Sequence, residues 1–130
     1  MLNIVPIYAA IFALLFILLS LRVISLRRSS GMALGHFGCD ALERRVRAQG
    51  NFAEYVPLTL LLLTFVELKL WPAWSIHALA TALLVGRISH AYGVGNPRED
   101  YRFRVTGMAL TFIVLGIAAL LLVLPPSLFY

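Results

Sequence analysis

Acidic residues are scarce in this chain: six Asp and Glu stand against eleven Lys and Arg in 130 residues. Charged residues of both signs make up only 13% of the sequence, too few for the surface of an ordinary water-soluble domain. A single cysteine, Cys39, excludes an intrachain disulfide. No base is evidently paired with it, so we read Cys39 as an incidental small residue and not a nucleophile. Metal-ligand spacing, a phosphate-cradling glycine loop and a serine elbow are all missing, so no metal is expected. There is no internal repeat and no low-complexity tract, and we read residues 1–130 as one domain.

What is abundant is apolar: 61% of residues are hydrophobic, and the mean hydropathy is +0.88. Four stretches span or nearly span a bilayer by length and polarity. They are Ile4 to Leu21, Tyr55 to Val66 with a polar lead-in, Leu70 to Gly86, and Val105 to Leu124. The first lacks a basic n-region and runs into arginines, so it reads as a retained span and not a cleaved leader. A pI of about 10.0 would suggest nucleic acid in a soluble chain. Here the positions of the cations argue for membrane topology instead. Arg22, Arg27, Arg28, Arg44, Arg45 and Arg47 flank the first connection, and Arg98, Arg102 and Arg104 flank the third. Lys69 alone marks the second. The positive-inside rule then puts connections one and three in the cytoplasm and both termini on the far side.

The punctuation predicts an all-α protein, an integral membrane four-helix bundle with short connections. Helix 1 should run from near Pro6 to near Arg28. A loop of Gly and Ser follows. Helix 2 should start near Asp40, an N-cap with Glu43 three residues on, and end near Leu70. Helix 3 should run from about Pro72 to about Tyr92, stopped by Gly93-Val94-Gly95-Asn96-Pro97. Helix 4 should run from about Asp100 to Leu124, ended by Pro125-Pro126. Trp71 and Trp74 suit the interface belt, with His77 near them. Pro57, inside helix 2, is expected to kink it and widen a cavity beside Glu54. Small residues Gly107, Ala109, Gly116 and Ala118 permit close contacts along helix 4.

Helix 2 also carries the costliest pattern. Spacings of four and three place Arg47, Asn51 and Glu54 on one face as the helix enters the membrane. One ionised residue at a bilayer centre costs roughly 2.5–3.5 kcal/mol on insertion scales, so such a stripe needs a use. Gln49 and Tyr55 lie close by, and Arg87 and His90 share a face of helix 3. Arginine outnumbers acid in this half. Glu54 is expected to neutralise Arg87 or Arg47, leaving guanidinium groups suited to a ligand with several carboxylates. Arg28 and Arg45 suit lipid headgroups better than a ligand.

The run Arg47-Ala48-Gln49-x-Asn51-x-x-Glu54-Tyr55-x-Pro57 resembles the signature of the MAPEG superfamily, membrane-associated proteins in eicosanoid and glutathione metabolism. Two further segments agree in order and spacing. Ser20-Leu21-Arg22-Val23-Ile24-Ser25-Leu26-Arg27-Arg28 resembles the end of helix 1 in leukotriene-C synthase. Val85-Gly86-Arg87-Ile88-Ser89-His90 is similar to a helix 3 motif of microsomal prostaglandin E synthase. The resemblance covers essentially the whole chain and looks most like bacterial members.

That resemblance implies a homotrimer with glutathione as co-substrate, bound between subunits near the cytoplasmic side of what would be a bacterial inner membrane. It implies that Arg27, Arg47, Gln49, Asn51, Glu54, Tyr55, Arg87 and His90 bind the tripeptide. Glu54 would take its ammonium, and Arg47 and Arg27 its carboxylates. It further implies an arginine at the start of helix 4 that stabilises the thiolate. Arg104 and Arg102 are the candidates, and we prefer Arg104 because it leads directly into the apolar run. The activity implied is a glutathione transferase, with peroxidase activity in reach, acting on a hydrophobic electrophile or lipid hydroperoxide from the membrane lipids. A glutathione-dependent isomerase and a non-catalytic scaffold or lipid-binding protein are the rivals. One departure stands out: Val94 occupies the position of a family tyrosine.

Overall fold

The computed structural model describes residues 2–98 and 100–129. Four long helices follow one another: α1 (Val5–Ser30), α2 (Asp40–Leu68), α3 (Ala73–Gly95) and α4 (Tyr101–Val123), with a short 3-10 turn at Pro126–Phe129. Side-chain bonds give their directions. Gln49 reaches Ser20, Arg87 reaches Asn51 and Thr111, and Trp71 reaches Leu121. Each helix therefore runs antiparallel to the one before it. The first and third connections share one end of the bundle, where Arg44 reaches the Asn96 carbonyl.

Local chemistry sets the helix ends. Pro6 lies in the first turn of α1, where its missing N–H is not needed. Gly31 closes α1 at φ 67°, donating to the Arg27 carbonyl. Asp100 caps α4 by accepting from the Arg102 N–H at 2.9 Å. Two ends differ from expectation. The N-cap of α2 is Cys39, without a side-chain bond, so Asp40 and Glu43 act as first-turn acids. Helix α3 runs through Gly93 and Val94 to Gly95. Missing side chains bring α4 close enough to hold that last turn: a Cβ on Gly93 would lie 2.8 Å from the Arg104 nitrogen.

Three helices, α1, α2 and α4, are long and apolar enough to cross a membrane. The third expected span, α3, is 23 residues long but is made more polar by His77, Arg87 and His90. It carries more buried positions than any other helix, Arg87 and His90 among them. Arg87 and His90 thus face protein, as intramembrane ionisable residues do, while His77 is exposed. The outer faces of α1 and α4 expose Leu14, Leu18, Leu21, Ile113, Leu120 and Val123, a surface for hydrocarbon. Of the small residues on α4, Gly107 and Ala118 are buried, while Gly116 meets nothing within 4 Å.

The end opposite the arginines is closed by side chains on backbone groups. The Glu67 carboxylate accepts from the Asn3, Ile4 and Val5 amides at 2.6, 2.7 and 2.8 Å, serving the open donors of α1. At the end of α4, Pro125 and Pro126 lack the N–H groups that the Leu121 and Leu122 carbonyls need. Trp71 Nε1 donates to Leu121 at 3.2 Å, and Lys69 Nζ to Leu122 and Leu124 at 2.7 and 3.1 Å. A cation at a helix C-terminus is also favoured by the macrodipole. Lys69→Met should therefore lower stability by about 1 kcal/mol, read as a drop in Tm in detergent. An unchanged Tm would mean water serves those carbonyls equally well.

Candidate functional site

A cavity of about 440 Å³ opens at the end of the bundle carrying the first and third connections. It is lined from α2 by Asp40, Glu43, Arg44, Arg47 and Asn51, from α3 by His90 and Val94, and from α4 by Arg104. The helical period explains the α2 wall, since 40, 43, 44, 47 and 51 fall on one stripe. Two acids, Asp40 and Glu43, hold its first turn, and two cations, Arg44 and Arg47, follow. The lining suits a ligand bearing both carboxylates and an ammonium, not a simple polyanion.

Behind this wall lies Arg87, only 1% exposed. Its Nη2 donates to Asn51 Oδ1 at 2.5 Å and lies 3.4 Å from His90 Nδ1. Its Nη1 donates to Thr111 Oγ1 at 3.2 Å and approaches Met108 Sδ at 3.8 Å. Arg87 does not line the cavity. It orients two residues that do, Asn51 and His90. Thr111 Oγ1 donates in turn to the Gly107 carbonyl at 2.8 Å, so α4 shares in the network. The sequence pointed to Arg87 but not to Thr111 or Met108, whose register against α3 depends on helix packing.

Other expected site residues are placed elsewhere. Glu54 is exposed one turn deeper than Asn51 and does not line the cavity. Among the described residues it forms no ion pair with Arg47 or Arg87, against the pairing expected from composition. Nor does the cavity widen beside it. Tyr55 meets Phe112 edge-on at 5.5 Å and fills the α2–α4 seam at that depth. The Pro57 ring belongs to a different feature, an apolar groove between α1 and α2 with Ala13, Phe16 and Phe52. Gln49 faces α1, donating to Ser20 Oγ at 3.1 Å. Arg27 Nη1 donates to the Gly35 carbonyl at 2.9 Å and to those of Met32 and Ala33 at 3.4 Å, all in the first connection.

The two helix 4 arginines separate. Arg104 lines the cavity, whereas Arg102 is exposed and absent from the lining. Val94 lines the cavity with an aliphatic wall. Tyr92 points away and meets Phe103 at 5.1 Å. Asp40 and Glu43 were not expected in the site. Their spacing from Arg47 was the available signal, masked by their resemblance to a helix cap.

The model of the MAPEG family matches residues 5–124. The inner membrane protein YecN of Escherichia coli strain K12 is 34% identical over 123 residues, covering 95% of this chain and 88% of YecN. The YecN of strain O6:H1 matches to the same extent.

Proposed function

Because the chain belongs to the MAPEG family, we propose that it is a membrane-bound glutathione transferase that adds the glutathione thiolate to hydrophobic electrophiles. The observation that carries the reading is the cavity wall, where Arg44, Arg47 and Arg104 stand among Asp40, Glu43, Asn51 and His90. Glutathione has two carboxylates, one ammonium and a thiol. Arginines pair with the first, acids with the second, and a cation near sulfur favours the thiolate. In the reaction, the thiol proton passes to water and the sulfur lone pair forms the new C–S bond. The leaving group departs with its electron pair. A lipid hydroperoxide would instead consume two thiols, giving an alcohol, water and glutathione disulfide. The membrane setting has a chemical point, since such electrophiles concentrate in lipid.

Arg27, Gln49, Glu54 and Tyr55 belong to the same proposal through assembly. Each lies outside the lining of the subunit cavity. In a homotrimer with its sites between subunits, the α1–α2 side of one copy would complete the cavity of the next. The arginine-rich end, and with it the site, would face the cytoplasm of a bacterial inner membrane.

Calorimetry on the protein in nanodiscs tests this reading. Glutathione should bind saturably, one site or fewer per chain. Glu54→Ala should weaken binding at least about tenfold, roughly 1.4 kcal/mol. Absence of binding would sink the glutathione assignment, and unchanged affinity in Glu54→Ala would sink the shared site. The position of His90 on the cavity wall favours one second reading, a glutathione-dependent isomerase. Product analysis separates the two, since a transferase consumes glutathione into conjugate and an isomerase returns it. Binding without turnover of any electrophile would favour a scaffold.

A further inference from the structure

We propose that the loop from Gly31 to Cys39 is a membrane-surface anchor, which seats Leu34 and Phe37 in the headgroup region of the leaflet at the arginine-rich end. The inference begins with lengths. Helix α1 has 26 residues, about 39 Å at 1.5 Å per residue, against a hydrocarbon core of about 30 Å. With Val5 at the far boundary, Arg27 and Arg28 emerge at headgroup level. The loop does not rise from there into water. Arg27, whose side chain slopes back toward the start of its helix, holds the Met32, Ala33 and Gly35 carbonyls through Nη1. The chain is thereby folded back over the last turn of α1.

At the tip of this fold, Leu34 is 80% exposed and Phe37 84%, the latter the most exposed large apolar side chain among the described residues. Phe37 also has φ 40°, a left-handed conformation that bulky residues rarely adopt. A strained backbone that presents a phenyl ring away from its own core is poorly matched to water and well matched to a bilayer interface, where aromatic rings partition. The surrounding charge agrees. Arg28 is exposed beside the loop, and Arg45 bonds the Arg22 carbonyl at 2.8 Å on the adjoining surface. Both suit anionic headgroups. One contact joins the loop to the cavity mouth: His36 Nδ1 lies 3.9 Å from Glu43.

The lone cysteine makes the test direct. In a Cys39→Ser background, which supplies a favourable N-cap, Phe37→Cys and separately Leu34→Cys carry an environment-sensitive fluorophore. The full chain is placed in nanodiscs of zwitterionic and anionic phospholipid. Arg98→Cys, on the third connection, provides an exposed reference. Quenching by aqueous iodide should be severalfold weaker at 37 and 34 than at 98, and quenching by nitroxide-labelled lipid severalfold stronger. Iodide quenching equal to the reference would overturn the anchor by placing the loop in water. Shielding from both quenchers would overturn it by placing the loop on protein, either its own cavity rim or a second copy. Two labelled positions keep the outcome readable if one substitution disturbs folding.

Discussion

Arg104→Ala should bind glutathione within a few-fold of the parent affinity and yet lose turnover by roughly 10²-fold, the scale on which removal of one preorganised donor to a developing anion is felt. Arg104 lines the cavity at the start of α4, where the helix N-terminus adds its own partial positive charge. A free thiol near pKa 8.5 is only a few per cent ionised at neutral pH, and a neighbouring cation raises that fraction. Binding should survive because Arg44 and Arg47 remain on the α2 wall to meet carboxylates. Two readouts are needed: calorimetry for affinity, and the ultraviolet absorbance of the thiolate for ionisation. Arg102→Ala is the control. Arg102 is exposed, and its backbone N–H donates to the Asp100 cap. Normal thiolate formation in Arg104→Ala, or its loss in Arg102→Ala, would reverse the assignment.

Gly107→Ala should be the most damaging small substitution in the bundle. A Cβ there would stand 2.5 Å from the Gly86 carbonyl oxygen and 2.7 Å from both the nitrogen and the Cβ of His90. These are mostly backbone atoms of a packed helix, so no side chain can swing aside. The α3–α4 pair must part, at a cost of about 3 kcal/mol on the scale of overpacked cores. The separation would also pull Thr111 from Arg87, and Arg87 in turn orients Asn51 and His90. Tm in detergent and glutathione affinity should therefore fall together. Gly116→Ala, which meets open space within the subunit, should leave the subunit fold intact. Equal Tm losses in the two variants would show that the α3–α4 contact does not govern the effect, since Gly→Ala raises helix propensity at both positions.

Much of the fold was legible because a membrane span is written locally. Apolar runs, Pro6, Gly31 and Pro125 place helix bodies and ends from neighbouring residues alone. The exceptions are those where a neighbour in space intervened. Helix α3 continues past Gly93 because α4 lies against it, a contact no local rule encodes. The site divided in the same way. The Arg47 and Asn51 stripe followed from the helical period, but a period gives a face and not its neighbour. Glu54 shares that face and still lies outside the cavity, since Tyr55 and Phe112 close the seam beside it.

By itself the sequence determined the helical class, the end of the bundle where the cations gather, the family and the candidate residues. All of these depend on residue type and short-range spacing. Only the tertiary structure decided between Arg104 and Arg102 for the cavity wall, put Arg87 behind Asn51, turned Gln49 and Arg27 to other partners, and set Lys69 and Trp71 on the end of α4. The reason is the same in each case. These assignments depend on how one helix is rotated and shifted against another, which is set by contacts such as Gly86 on Gly107 between residues far apart in the chain.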